Sequence, residues 1–242
     1  MDSVLNIITG ATGALGTSLF KKIDKNNSII ISRNNSTSYQ NGFKIRCDLS
    51  KPEEYESLGK EIVSVSNKMQ PTQINIIHMA GILINEKTNE KFIADDWTNM
   101  FNVNCLSFYF LAKTVYFIAN KNANFNSGSF VAITSNLTSR VNHNNPGYIA
   151  TKAALESIVK QLAYDMGSKN IRSNGIAPGY FPSQMSKDVK VPMQEIIMKN
   201  TPLQRCGTAD DISDIIAFLL SENSAWITGQ IILADGGNTI GF

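Results

Sequence analysis

Residues 4–16 read V-L-N-I-I-T-G-A-T-G-A-L-G. Val4–Thr9 is a short apolar run that passes directly into three glycines, Gly10, Gly13 and Gly16, each three residues from the last. The run does not alternate polar and apolar residues, which predicts a strand buried on both faces. Glycine lets the chain turn tightly and lets a phosphate approach the backbone with no Cβ in the way. The helical pattern that follows, Leu15–Asp24, directs free N–H groups and a positive dipole end at that phosphate. A glycine triplet between a first strand and a first helix is the fingerprint of a dinucleotide-binding turn. Gly10, Ala11, Thr12, Gly13, Leu15 and Gly16 are therefore candidate cofactor contacts.

The pattern continues outward from this turn. Strand-like runs recur at Ser28–Ser32, Lys44–Asp48, Asn75–Met79, Ser129–Thr134, Ile171–Ala177 and Gln230–Ala234. Helical patterns fill the gaps at Pro52–Met69, Asp96–Asn120, Gly147–Ser168 and Ala209–Ser221. Parallel strands need crossover helices, so the alternation predicts an α/β fold, a doubly wound parallel sheet of about seven strands flanked by helices. No Pro/Gly/Ser-rich linker and no repeat divides the chain, which reads as one domain over residues 1–242.

Composition narrows the function. Twenty-two basic residues nearly balance 20 acidic ones, for a net charge of +2. That is too weak a field to argue for nucleic acid or a membrane surface. Cys47, Cys105 and Cys206 are scattered, and the two histidines are His78 and His143. Neither a disulfide framework nor a zinc site is expected from such a set, and no metal is implied. The N-terminus lacks a signal-peptide pattern, and no apolar run approaches the ~18–20 residues of a membrane span. A cytoplasmic protein is expected.

Two further stretches carry chemistry. The second strand ends I-I-I-S-R-N, with Ser32 where an acid would select NAD and Arg33 beside it. A guanidinium suits a 2′-phosphate dianion, so NADP(H) is the expected cofactor. In G-Y-I-A-T-K, Tyr148 and Lys152 stand four residues apart, on one helix face. A neighbouring ammonium stabilises phenolate and is expected to lower the tyrosine pKa from about 10. Thirteen residues before Tyr148, the run S-F-V-A-I-T leads to Ser135, at a strand end where ligands bind in open α/β sheets. Asn104 interrupts an apolar helical stretch in F-N-V-N-C-L-S, where an amide can hold a water near Lys152 or simply satisfy buried backbone.

With these motifs the chain resembles the single-domain short-chain dehydrogenases/reductases, and particularly bacterial 3-oxoacyl-(acyl-carrier-protein) reductases. The resemblance spans essentially the whole chain. It rests on T-G-A-T-G-A-L-G, C-D-L-S, H-M-A-G, N-V-N, I-T-S, Y-I-A-T-K, I-R-S-N-G-I-A-P-G, T-P-L-Q-R-C-G-T-A-D-D-I and W-I-T-G-Q-I-I-L-A-D-G-G, in that order. It implies a Rossmann-type fold and an NADP-dependent reduction of a carbonyl, with Ser135, Tyr148, Lys152 and Asn104 as a catalytic tetrad. It also implies that Asp48 and Leu49 meet the adenine, that Ala80 and Gly81 meet the adenosine ribose, and that Tyr148 and Lys152 contact the nicotinamide ribose. Pro178, Phe181 and Ser183 are implied to flank the carboxamide. A homotetramer is implied as well.

The chain departs from the family pattern in three places. Ala14 stands at the loop's usual middle glycine, with Gly13 one residue earlier. The usual Asn-Asn-Ala-Gly is His78-Met79-Ala80-Gly81, and His78 is expected to bridge neighbouring strands through a ring nitrogen. Where carrier-protein-using relatives present arginines near the mouth, the corresponding positions are read as Asn126 and Lys169. Residues 180–200, with Met185, Val189, Val191, Met193, Ile196 and Ile197, are expected to form a substrate lid, with Arg140 and His143 at the pocket rim. The substrate expectation is a 3-oxoacyl thioester, free or carrier-linked. A sugar or polyketide-like carbonyl, and a non-catalytic nucleotide sensor or scaffold, are the alternatives.

Overall fold

A computed structural model describes residues 3–34, 42–84, 93–140, 145–187 and 189–240. The strands are β1 (Val4–Thr9), β2 (Ser28–Ser32), β3 (Phe43–Arg46), β4 (Gln73–His78), β5 (Ser127–Ile133), β6 (Ile171–Pro178) and β7 (Ile231–Ala234). All pair in parallel, in the order β3-β2-β1-β4-β5-β6-β7. The order reverses between β1 and β4, and a doubly wound sheet opens its ligand crevice beyond the carboxyl ends of strands at such a point.

The helices are α1 (Ala14–Leu19), α2 (Tyr55–Met69), α3 (Ala94–Phe101), α4 (Ser107–Lys121), α5 (Pro146–Met166), α6 (Val191–Lys199) and α7 (Ala209–Leu220). Successive strand residues point to opposite faces, so the unbroken apolar runs feed two cores. Leu5, Ile7, Ile29, Ile74, Ile76 and Phe130 pack against α2, α4 and α5. Ile8, Ile30, Ile77, Val131 and Ile176 pack against α1 and α7. Each such side chain contributes about 1.5–3 kcal/mol on full burial. Among the described residues no helix is long and apolar enough to cross a membrane.

Some boundaries differ from the sequence expectation. β4 and β5 begin two residues early, on polar positions that a hydrophobicity reading passes over. There Asn75 donates to the Asn6 side chain (3.0 Å) and accepts from the Ser129 N–H (3.1 Å), which satisfies buried amides across three strands. Helix α1 stops at Leu19 rather than Asp24, since Asp24 instead accepts the Asn26 N–H (3.0 Å) and shapes the turn into β2. The expected Asp96–Asn120 helix is interrupted. A π-helical turn at Asn102–Leu106, in which the Ser107 N–H reaches back to the Asn102 carbonyl, separates α3 from α4. Helix α6 was not among the expected helices. Pro192 at its start, a favoured N-terminal helix residue, is the signal that marks it.

Candidate active site

Because every strand runs the same way, the candidate residues that follow strand ends collect on one edge of the sheet. Gly10 follows β1, Ser32 and Arg33 sit at the end of β2, and Asp48 and Leu49 come after β3. Ala80 and Gly81 follow β4, Ser135 lies just beyond β5, and Pro178 closes β6 ahead of Phe181 and Ser183. Asn126 and Lys169 precede β5 and β6, so they lie at the opposite, amino edge, joined where the Asn170 side chain donates to the Asn126 carbonyl (3.1 Å). Their expected place near the mouth is therefore incorrect within one chain, because a residue before a parallel strand and one after it are separated by the strand's length. His143 lies outside the described residues, and Arg140 is exposed.

The three glycines do different work. Gly10 has φ of +70°, and a Cβ there would stand 2.5 Å from the Ala80 nitrogen. A Cβ on Gly16 would stand 2.1 Å from the Ala11 carbonyl oxygen. These two are glycine so that backbone can meet backbone. A Cβ on Gly13 would meet only the Gly10 carbonyl, at 3.7 Å, and Thr12, Gly13 and Ala14 are exposed. This open rim, beside the switch point of the sheet, has the form a pyrophosphate requires.

Helix α5 brings Tyr148 and Lys152 to the same edge of the sheet. Its buried stripe runs Tyr148, Thr151, Lys152, Leu155, Val159, Leu162 and Met166. The apolar half packs on the sheet and fixes where the polar half emerges. Tyr148 is 6% and Lys152 3% exposed. The Lys152 ammonium donates to the Ile133 carbonyl at 2.7 Å and lies 5.7 Å from the centre of the Tyr148 ring. An ammonium has three donors, and Ile133 takes one. Burial pulls the Lys152 pKa down to about 8, with Cys105 and Glu156 opposing. Burial pushes Tyr148 up to about 12, opposed only by a hydrogen bond with Ser135. The expected lowering of the tyrosine is thus not seen. Desolvation of a phenolate at this depth outweighs a cation that is itself bonded elsewhere.

Asn104 is fully buried within the π-helical turn, a feature frequent at functional sites. Its carbonyl accepts the Ile82 N–H (2.8 Å), and its amide donates to the Ile82 carbonyl (2.9 Å) and the Thr151 hydroxyl (3.0 Å). Both donors of that amide are therefore engaged inside the protein, and the side chain clamps the segment after Gly81. Thr151, absent from the sequence reading, links this clamp to the Tyr148 carbonyl (2.7 Å). Its polar place inside an apolar helix stripe was the available signal.

His78 bridges β4 to β1, as expected, sharing a 2.9 Å hydrogen bond with the Thr9 hydroxyl. Thr9 also accepts the Ala80 N–H (3.1 Å). The other ring nitrogen faces the Val103 backbone without a well-formed bond. Burial, with Lys152 adding, takes the His78 pKa down to about 3, so this ring is neutral at physiological pH.

Beyond β3, burial raises the Asp48 pKa, but the Ser50 N–H and hydroxyl (3.1 and 2.9 Å) outweigh it, with Arg33 and Lys51 adding to a net lowering. Arg33 is exposed, and Ser32 donates to the Asn34 carbonyl (2.8 Å). After β6 the chain passes through a short turn at Gln184–Ser186 into α6, with Met185, Val191, Met193 and Ile196 exposed. A cavity of about 230 Å³ lies beside this segment, lined by Gly179, Phe181, Ile197 and Ile212 among others. It does not include Tyr148 or Lys152.

A family model described as Enoyl-(Acyl carrier protein) reductase matches residues 24–239. The chain is 28% identical to the 7alpha-hydroxysteroid dehydrogenase of Escherichia coli (strain K12), over 98% of this chain and 94% of that one. It is 29% identical to the 3-oxoacyl-(acyl-carrier-protein) reductase FabG of Buchnera aphidicola subsp. Baizongia pistaciae (strain Bp), over 96% and 95%. A solved structure of a 4-hydroxyisoleucine dehydrogenase mutant complexed with NADH and succinate superposes with a TM-score of 0.85, at 25% identity, covering 98% of this chain and 99% of that one.

Proposed function

Because this chain is an oxidoreductase of the short-chain dehydrogenase/reductase family, we propose that it reduces a carbonyl to an alcohol with NADPH, with Tyr148 giving the proton. The observation that carries the reading is the convergence of Ser135, Tyr148 and Lys152 at the crevice edge, beside the glycine turn. The bound nicotinamide would supply the hydride. The chain's residues would do the rest. Gly10, Ala11, Thr12, Gly13, Leu15 and Gly16 would hold the pyrophosphate, with Asp48 and Leu49 on the adenine and Ala80 and Gly81 on its ribose. Lys152 keeps two donors for a ribose hydroxyl, and Pro178, Phe181 and Ser183 would line the carboxamide.

The reacting carbonyl oxygen would accept hydrogen bonds from Ser135 and Tyr148. As charge develops on that oxygen, the phenol releases its proton to it. The Lys152 ammonium, within the same desolvated pocket, then stabilises the phenolate. Asn104 would act by fixing Ile82 and Thr151 around this centre. Substrate and protein therefore exchange one proton, and the alcohol leaves neutral.

A 3-oxoacyl thioester is the proposed substrate, supported by the likeness to the Buchnera reductase and by the apolar lid. The likeness to a hydroxysteroid dehydrogenase favours a ring ketone as the second reading. We propose a cytoplasmic homotetramer; exposed Tyr109 and Phe117 on α4 and Tyr164 on α5 supply apolar surface for it. Turnover of acetoacetyl thioesters, steroid ketones and keto-sugars with each nicotinamide dinucleotide tests the function. Acetoacetyl thioester with NADPH is expected to give the highest kcat/KM, and no turnover of any carbonyl would overturn the reading.

The preference for NADPH rests on Arg33 and on the absence of an acid at Ser32. The NADH bound by the hydroxyisoleucine dehydrogenase mutant shows that a neighbouring fold also accepts the cofactor without the 2′-phosphate. Arg33→Ala is expected to weaken NADPH by about 1.5–3 kcal/mol, the range of a charge-assisted hydrogen bond, and to leave NADH nearly unchanged. Equal losses for both, by fluorescence titration, would remove Arg33 as the selector.

A further inference from the structure

We propose that Glu156 is a positioning residue for the carbonyl reduction read above, on which this inference rests. It holds the chain just beyond Ser135, through Thr138, and is the negative charge that faces the Lys152 ammonium.

Two side chains of one helix bracket the serine. Lys152 and Glu156 are four residues apart on α5, so they leave the same face of it, with Cβ atoms about 6 Å apart. Lys152 donates to the carbonyl of Ile133, ahead of Ser135 (2.7 Å). The Glu156 carboxylate accepts from the hydroxyl of Thr138, beyond Ser135 (2.7 Å). Tyr148 stands on the same helix, one turn before Lys152. One rigid element and two side-chain bonds therefore set where the serine lies relative to the tyrosine.

The short turn Asn136–Ser139 passes the Glu156 bond on to the serine hydroxyl. The Ser135 hydroxyl oxygen accepts the Leu137 N–H (3.2 Å), and the Ser135 carbonyl accepts the Thr138 N–H (3.2 Å). The Thr138 hydroxyl also lies 2.8 Å from that carbonyl. A hydroxyl has a single proton. The carbonyl is already served by an N–H, and a carboxylate is the stronger acceptor, so the proton goes to Glu156. The turn's other side-chain tie is long. The Asn136 amide stands 3.5 Å from the Asp235 carboxylate and 3.5 Å from the Thr239 hydroxyl. Glu156 thus supplies the short bond that fixes this turn to α5.

The same carboxylate matters to Lys152. Among the described residues, the titratable groups that face the ammonium are Tyr148 and Glu156 on α5, Cys105 in the π-helical turn and His78 on β4. Burial lowers Lys152, and Cys105 and then Glu156 oppose it. Burial also pushes the Cys105 thiol and the Tyr148 phenol up, and takes His78 down. These three are neutral where Lys152 titrates, which leaves Glu156 as the opposing charge.

Steady-state kinetics against pH, with NADPH and the best carbonyl of the panel above, tests this. Thr138→Val and Glu156→Ala are each expected to lower kcat about ten- to hundredfold, the cost of a small misplacement of a reacting group, with NADPH affinity little changed. Both cut one bond, so the double variant is expected to be no slower than the slower single one. Thr138→Ser keeps the hydroxyl and is expected to retain the wild-type kcat. Glu156→Gln keeps an acceptor for Thr138 and removes the charge. The alkaline limb of its kcat/KM is expected to move roughly one pH unit lower, the small end of the effect of an opposite charge at this range. Losses that multiply in the double variant, a wild-type kcat in Thr138→Val, or an unmoved limb in Glu156→Gln would overturn the proposal. A wild type that reduces no carbonyl would instead remove the reading beneath it, and the role of Glu156 with it.

Discussion

Replacing Tyr148 by phenylalanine is expected to lower turnover by about 10²–10⁴-fold, the usual contribution of a positioned general acid, while dinucleotide binding is nearly unchanged. The ring stays, so the packing of the α5 stripe stays, and only the hydroxyl beside Ser135 is lost. Loss of both turnover and dinucleotide affinity would show that Tyr148 holds the crevice together instead of donating a proton. The wild-type pH profile belongs to the same test. With Tyr148 pushed up to about 12, the phenol keeps its proton throughout the working range. Lys152, pulled down to about 8, carries its charge below that pH and loses it above. Carbonyl reduction is therefore expected to fall as pH climbs through 8, read as kcat/KM, which reports the free enzyme. In Lys152→Arg that limb is expected to move beyond the accessible range, because a guanidinium does not deprotonate there. A limb that stays near 8 in this variant would belong to another group.

The second large effect is expected at the glycine turn. Gly10→Ala places an L-residue at φ of +70° and a Cβ 2.5 Å from the Ala80 nitrogen and 2.6 Å from the Met79 carbonyl carbon. Both obstacles are backbone, so no rotamer change relieves them. The left-handed conformation alone costs roughly 1–2 kcal/mol, a melting-temperature loss of about 2–8 °C in a chain this long, and the clash adds to it. Since the end of β1 must shift away from the end of β4, dinucleotide affinity is expected to collapse as well. Gly13→Ala is the control. Its φ is −82° and its nearest neighbour across the open side is 3.7 Å away. It is expected to melt like the wild type and yet to bind the dinucleotide more weakly, since the new methyl occupies the rim a phosphate would use. Full affinity in Gly13→Ala would mean that the pyrophosphate does not sit over this rim. Full stability in Gly10→Ala would mean that the two strand ends can part freely.

How much of this was legible in the residues alone depends on distance along the chain. The order of elements, the parallel sheet and the glycine turn are local patterns. Unbroken apolar runs alternate with amphipathic stretches, and glycines stand where one meets the next. Tyr148 and Lys152 were legible for the same reason, because four residues of helix put two side chains on one face whatever surrounds them. The bridging part of His78 followed from the resemblance, in which the residue at its place in the H-M-A-G motif joins neighbouring strands.

What lay beyond the sequence was set by groups far apart in the chain. The π-helical turn that points Asn104 inward forms where one residue more than the α-helical period must be absorbed, and no residue type announces it. The raised pKa of Tyr148 comes from burial by elements scattered over the fold, which outweighs the near neighbour that sequence spacing reveals. The misplaced Asn126 and Lys169 show the same limit, since only the strand directions say which edge of the sheet a residue reaches. Periodicity and steric rules act between near neighbours and survive in the linear text, whereas desolvation and access are sums over everything the chain folds against.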